Sequence, residues 1–542
     1  MTTVGKYLAK RLEQAGLRHI FGVPGDYVLS FFDCLEESGM KVVTTCNELN
    51  AGYAADAYAR LNGVGGVCVT YGVGGFSLFN AVVGAFAERL PLIVVSGGPR
   101  IYERDYHHLL HHTIGDMNLQ YDIYEKITEA SVILMSPEEA PQRIDDTISA
   151  CLRSKRPVYV EIPQDLVSKP CSDPGPFNVD TVIPSDKGAL EEAVTEASEM
   201  LKSAARPLIL AGVEPHRFGI RGELRALVDH TGYPFATTLL GKTVIPEKHP
   251  QFVGVYGGSA SWDDARRVAA EADIVLSLGA LMTDIHLGKR TTFFETDKMI
   301  AANSDSVKIK HHVYDQVSLK DFIGGLHKAL PSGSARELQI RHPSEALCKD
   351  FDVTSDRKIT VKRFYQRINH FIRDDHTIVA ETGDALFSAA NLFLPEKTQF
   401  IDQAFYLSIG YSIPATLGVQ LAGPDRRPVT FVGDGAFQMT VQELSTIIRE
   451  GLNPVIFLMN NDGYTVERVI HDGPYNDIKM WKYHMIPKIF GGGWGAVVET
   501  EGELEESIQR AEKEKDKLAF IEVKLDKWDC SENLKNLAKA LK

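Results

Sequence analysis

Val429-Thr430-Phe431-Val432-Gly433-Asp434-Gly435 is the stretch from which the fold can be read. An apolar, β-branched run ends on a carboxylate flanked by glycines. After Gly435 come 24 residues and then Asn460-Asn461, which close a second run, Val455–Met459. Such runs read as strands buried on both faces. Open α/β sheets place their ligands at the carboxyl ends of neighbouring parallel strands. A carboxylate at one strand end and a carboxamide at the next then converge on one hard cation. Mg²⁺ takes oxygen ligands in octahedral array and commonly shares a diphosphate. On this reading Asp434 supplies charge, Asn461 a neutral carbonyl oxygen, and the Gly463 backbone carbonyl a third ligand. Gly433 and Gly435 let backbone N–H groups approach phosphate without a Cβ in the way. Gly-Asp-Gly alone is a common turn; the spaced Asn-Asn and the two preceding strands give it meaning.

The same alternation of short apolar runs and longer amphipathic stretches extends in both directions, the pattern of parallel sheets wrapped by helices. The first third offers His19–Val23, Lys41–Cys46, Gly66–Tyr71, Leu92–Ser96 and Pro157–Ile162. The middle offers Pro207–Ala211, Ile274–Leu278 and Met299–Ala302, and the last third Thr377–Ala380, Pro428–Val432, Pro454–Met459 and Ala519–Val523. Proline-rich Lys169–Asp186 and polar Pro331–Lys358 break the pattern and read as linkers. The expectation is an α/β protein of three doubly wound domains with mainly parallel sheets, at 1–170, 187–330 and 359–542. In the C-terminal stretch Ser531–Lys542, Leu534, Leu537 and Leu541 recur at helical spacing behind a serine cap. It reads as a helix docked on a core, with a lid as the other reading.

Composition narrows the function classes. A formal charge of −14 with dispersed cations argues against nucleic-acid binding, which needs clustered Lys and Arg. No apolar run approaches the roughly 20 residues of a membrane helix. The N-terminus lacks a basic segment followed by an apolar core. Seven scattered cysteines form no C-x-x-C pair, so a reducing cytoplasm is the expected location.

Four stretches carry a resemblance. Asn47-Glu48-Leu49-Asn50-Ala51-Gly52-Tyr53-Ala54-Ala55-Asp56-Ala57-Tyr58-Ala59-Arg60 follows the second strand. Phe21-Gly22-Val23-Pro24-Gly25-Asp26 and Leu110-His111-His112-Thr113 precede and follow it. Gly463-Tyr464-Thr465-Val466-Glu467 comes after the paired asparagines. Together with the Gly-Asp-Gly motif they resemble the thiamine diphosphate-dependent 2-keto acid decarboxylases, and the resemblance spans essentially the whole chain. It implies the thiamine diphosphate-binding fold in the first and last domains, Mg²⁺, and a homodimer or homotetramer with the active site at a subunit interface.

The resemblance also implies roles. Glu48 activates the cofactor, a task that suits a lone carboxyl whose pKa an apolar pocket raises. Ile409 is the apolar wedge that bends the cofactor. Leu407 offers a backbone carbonyl at a position where relatives often have Gly. Asp384, Gly433, Gly435, Ala436, Gly463 and Thr465 complete the cofactor site beside Asp434 and Asn461. Asp26, His111, His112 and Glu467 form the acid–base set. Ile285, Leu386 and Val466 line the substrate pocket. Leu386 and Val466 stand where pyruvate enzymes carry bulkier side chains. The expected activity is therefore non-oxidative decarboxylation of branched-chain or aromatic 2-keto acids in preference to pyruvate, with broad specificity. The alternatives are a pyruvate decarboxylase proper and an acetolactate synthase-like carboligase. A nucleotide-binding oxidoreductase is disfavoured, because Gly22-Val23-Pro24-Gly25 and Gly72-Val73-Gly74-Gly75 both lack G-x-G-x-x-G spacing.

Overall fold

The computed structural model describes residues 2–105, 109–179, 184–285, 295–333 and 342–541. Among them lie three sheets. The first is parallel throughout and runs Lys41–Thr44, His19–Gly22, Gly65–Val69, Leu92–Gly98, Val158–Pro163, Ala130–Ile133. The second has seven strands in the order His312–Asp315, Ser306–Ile309, Met299–Ala302, Ile274–Leu278, Pro207–Ala211, Phe235–Thr237, Phe252–Val255. Its last five are parallel and its first two pair antiparallel. The third runs Gln399–Ile401, His376–Ala380, Arg427–Gly433, Val455–Asn460, Ala519–Lys524, Trp494–Val498. Every strand expected from an apolar run is present. Those missed sit mostly at sheet edges, where one neighbour is absent and a short, half-buried segment suffices: Ala130–Ile133 is half-buried throughout and His312–Asp315 mostly exposed.

By compactness the chain forms two units that do not follow linear order. One comprises 1–182 with 410–428 and 440–454; the other comprises 183–409, 429–439 and 455–542. Two helices of the last third, Ser412–Ala422 and Glu443–Arg449, thus belong with the N-terminal sheet.

Their anchor is the helix Glu48–Asn62. The Asn47 side chain caps it by accepting from the Asn50 N–H at 2.8 Å, and Gly63, at φ +90°, ends it. Its alanines make a surface that backbones can approach, and residues 50–59 are all buried. A Cβ at Gly418 would lie 1.9 Å from the Ala54 carbonyl oxygen, so Ser412–Ala422 crosses at backbone contact. Buried polar groups fix the crossing. Arg60 reaches Asp56 at 2.8 Å and Glu88 at 2.6 Å, and the Tyr411 hydroxyl donates to Asp56 at 2.7 Å. At the other end Glu443 accepts from the Cys46 N–H at 3.1 Å and the Asn50 side-chain amide at 2.7 Å, holding the first turn that presents Glu48.

In the second unit, Val213, Leu239, Leu240 and Val255 share a core with residues of the third sheet. A buried ion pair, Lys242–Glu247, reinforces it by grasping the backbone at Leu392 and Leu394.

Candidate active site

The register Gly433↔Met459 between two adjacent parallel strands sets Asp434 and Asn461 side by side at the carboxyl edge of the third sheet. They open on a cavity of about 520 Å³. Every residue assigned to cofactor or metal from the sequence lines it: Asp384, Leu407, Ile409, Gly433, Asp434, Gly435, Ala436, Asn461, Gly463 and Thr465. Ile285, Val466 and Glu467 line it too.

Asp434 is fully buried. Its Oδ1 accepts from the Gly435 N–H at 2.7 Å and its Oδ2 from the Gly463 N–H at 3.1 Å. Burial still pushes its carboxyl up to about 7, against backbone donors at Gly463, Gly435 and Asn461 that pull the other way. A carboxylate this deeply desolvated is stable when a cation shares its charge. Its donor set is hard oxygen, which suits Mg²⁺. Thr382 Oγ1 at the cavity wall is buried without a hydrogen-bond partner among the described residues. These groups fit a metal-bound diphosphate. Gly463 holds φ +125°, and a Cβ there would meet the Asn476 carbonyl oxygen at 2.2 Å, so glycine is required to turn its N–H onto Asp434.

Leu407 holds φ +57°, a left-handed conformation that costs a non-glycine residue about 1–2 kcal/mol. Glycine would adopt that conformation without the cost. Gln403 enforces the turn, its carbonyl accepting from the Leu407 N–H at 3.1 Å and its side chain from the Ser408 N–H at 3.0 Å.

The remaining acid–base candidates lie in the first unit. His111 Nε2 meets Asp26 Oδ2 at 2.6 Å, and the His111 ring stacks on Tyr27 with centroids 4.8 Å apart. His112 holds φ +65°, which brings two consecutive imidazoles to one side, 4.8 Å apart. Asp26, His111 and His112 offer ligand-type atoms all within 4.8 Å of one another, with Asp26 and His111 in direct hydrogen-bond contact. Such strain persists where the surroundings over-determine it. Glu48 opens its helix half-buried rather than enclosed. The apolar pocket expected around it is therefore not supplied by its own unit.

One pocket residue is misplaced by the sequence reading. Leu386 is fully buried in the hydrophobic core, and the cavity is lined instead by its neighbours Ala385 and Phe387. Thr382, Tyr464 and Leu537 also line it and were missed. Leu537 had a signal in the leucine spacing of the last helix, which was read as core packing.

Three thiamine pyrophosphate enzyme models match in succession: the N-terminal TPP binding domain over residues 2–120, the central domain over 194–330, and the C-terminal TPP binding domain over 381–523. Fold and site together thus define a thiamine diphosphate-dependent carboxy-lyase. Pyruvate decarboxylase 1 of Pisum sativum is 36% identical over 98% of this chain and 92% of its own. Pyruvate decarboxylase 3 of Arabidopsis thaliana is 37% identical over 98% and 92%. The pyruvate decarboxylase of Neurospora crassa is 36% identical over 98% and 95%. The chain belongs to the thiamine diphosphate-dependent 2-keto acid decarboxylase family.

These relatives overturn the expected preference for keto acids larger than pyruvate, since all are named pyruvate decarboxylases. Of the two residues on which that expectation rested, Leu386 lies in the core and does not line the cavity, whereas Val466 does. No helix among the described residues is long and apolar enough to cross a membrane.

Proposed function

We propose that this chain decarboxylates pyruvate to acetaldehyde and CO₂ with thiamine diphosphate and Mg²⁺. The observation that carries the proposal is the fully buried Asp434 carboxylate facing the cavity beside Asn461. Asp434, Asn461 and the Gly463 carbonyl would hold Mg²⁺. Bound thiamine diphosphate supplies the electron sink for the carbon–carbon cleavage. The protein's share is positioning and proton transfer. Glu48 would hold a proton at the cofactor, Ile409 would pack against it, and Asp26, His111, His112 and Glu467 would carry protons to and from the substrate oxygen and carbon.

The active unit in this reading is at least a homodimer, Glu48 of one subunit serving the cavity of the next. Helix Val73–Ala87 supports it: this strongly apolar helix leaves Val73 54% and Phe76 39% exposed, with Phe79 and Val83 half-buried. Domain boundaries at 170–187 and 330–359 and a cytoplasmic location complete the proposal. The three sheets support the former and seven unpaired cysteines the latter.

The test is CO₂ and aldehyde release by purified protein with both cofactors, comparing pyruvate, 2-ketoisovalerate and phenylpyruvate. Pyruvate should give the highest kcat/KM. A hydroxyketone as the sole product, or no turnover of pyruvate, would sink the proposal.

A further inference from the structure

The Asp384 carboxylate lines the cavity and also binds the C-terminal segment. It accepts from the Ser531 N–H at 3.0 Å and from the Ser531 hydroxyl. The Ser531 hydroxyl oxygen in turn accepts from the Leu534 N–H at 3.1 Å, capping the C-terminal helix Glu532–Leu541. Two residues on, the Asn533 amide donates to the Phe387 carbonyl at 3.1 Å and to the Asn391 side chain at 3.0 Å. All these partners lie on or just after the short helix Asp384–Ala389 that floors the cavity. Beneath them, Leu534, Leu537 and Cys530 pack with Phe387, Val466 and Val469 in an apolar cluster separate from the main core. Leu537 reaches the cavity itself, beside Val466 and Phe387.

The geometry points to a latch: Ser531, hydrogen-bonded to Asp384, holds the C-terminal helix as a wall of the reaction cavity, and Ser531 and Asn533 are positioning residues for the reaction. This deepens the proposed function and rests on the cavity being where the reaction occurs. The helix also packs against the turn Gly258–Ala260, but its apolar cluster is small, so the Ser531 and Asn533 hydrogen bonds are a large share of what keeps the wall closed. A closed wall keeps water from the reacting groups and retains bound keto acid.

The test is hydrogen–deuterium exchange of the Mg²⁺- and thiamine diphosphate-loaded protein, wild type against Ser531→Ala, Ser531→Thr and Asn533→Ala. Exchange in 532–541 should rise about tenfold in both alanine variants, return toward wild type with threonine, and stay unchanged in strand Arg427–Gly433. The pyruvate KM of Ser531→Ala should rise about tenfold while kcat changes less than about threefold. Unchanged exchange overturns the latch, as does faster exchange spread evenly over 359–541, or faster local exchange with an unaltered KM. Exchange is measured without keto acid. Should the wild type fail to turn over pyruvate, the proposed function falls and exchange alone decides the latch.

Discussion

Glu247→Gln should destabilise the second unit by about 3–5 kcal/mol, the cost of stranding one charge of a buried pair. Both side chains of the Lys242–Glu247 pair have zero exposure. Lys242 also donates to the Leu392 carbonyl at 2.8 Å and sits 5.4 Å from the Trp262 ring centre. Glu247 also accepts from the Leu394 N–H at 2.7 Å. Burial lowers the Lys242 pKa and raises that of Glu247, and their mutual attraction opposes both shifts. Glutamine keeps an acceptor for Leu394 but leaves the ammonium only the Leu392 carbonyl and the charge of Asp402, which is not hydrogen-bonded to it, in place of its ion-pair partner. The double variant Lys242→Met/Glu247→Met removes both charges and leaves two backbone groups short of a partner, at about 1–3 kcal/mol each. Well-packed apolar replacement recovers about 1–4 kcal/mol of desolvation. The double variant should therefore cost less than the single one. Urea unfolding followed by tryptophan fluorescence gives the comparison, read on the first transition because the unit carries two sheets. A loss of about 3–5 kcal/mol is a shift of roughly two to nearly four powers of ten in the unfolding equilibrium. If Glu247→Gln cost under about 1 kcal/mol, or the double variant cost more than it, the pair would not be acting as a buried charge lock.

Glu48→Gln should lower turnover more than about a hundredfold with an unchanged circular dichroism spectrum, because the amide cannot share a proton; near-normal turnover would refute the role. Gly418→Ala drives a Cβ to 1.9 Å from the Ala54 carbonyl oxygen and should cost about 3 kcal/mol or more in thermal or urea unfolding, whereas an unperturbed midpoint would mean the helix crossing is looser than described. Asp384 gives the pH dependence: desolvation raises its carboxyl from 3.8 to about 6, against the Ser531 hydrogen bonds that lower it. Between those values the folded state binds more protons than the unfolded one, so its contribution to stability falls as pH rises from about 4 to about 6, by up to about 3 kcal/mol. Asp384→Asn should remove that slope, and a wild-type-minus-variant difference independent of pH would contradict it.

How much of this was legible in the sequence depended on whether the physics was local. Buried strands announce themselves, because a segment covered on both faces must be apolar along its whole length; Val455–Asn460 is buried at every position. The pairing of Asp434 with Asn461 was legible for the same reason: both are fixed by being the first residues past such strands. Leu386 failed because a helix turns about 100° per residue. Phe387 faces the cavity and Leu386 the core, and the short helix Asp384–Ala389 has no periodicity long enough to set its phase.

The grouping of Ser412–Ala422 with the N-terminal sheet was equally hidden. It rests on a glycine meeting a carbonyl 364 positions away along the chain, from residue 54 to residue 418, and on Tyr411 reaching Asp56. Neither partner signals the other. Yet this long-range packing bears on the chemistry: the helix that presents Glu48 is gripped at its first turn by Glu443 and along its length by Ser412–Ala422, both from the last third of the chain. Those two segments flank 429–439, which carries Asp434. The segments that hold the Glu48 helix are thus joined by covalent chain, on both sides, to the strand that leads into Asp434. A substitution that loosens either grip should therefore act on turnover through Glu48 while leaving the Asp434 cavity intact.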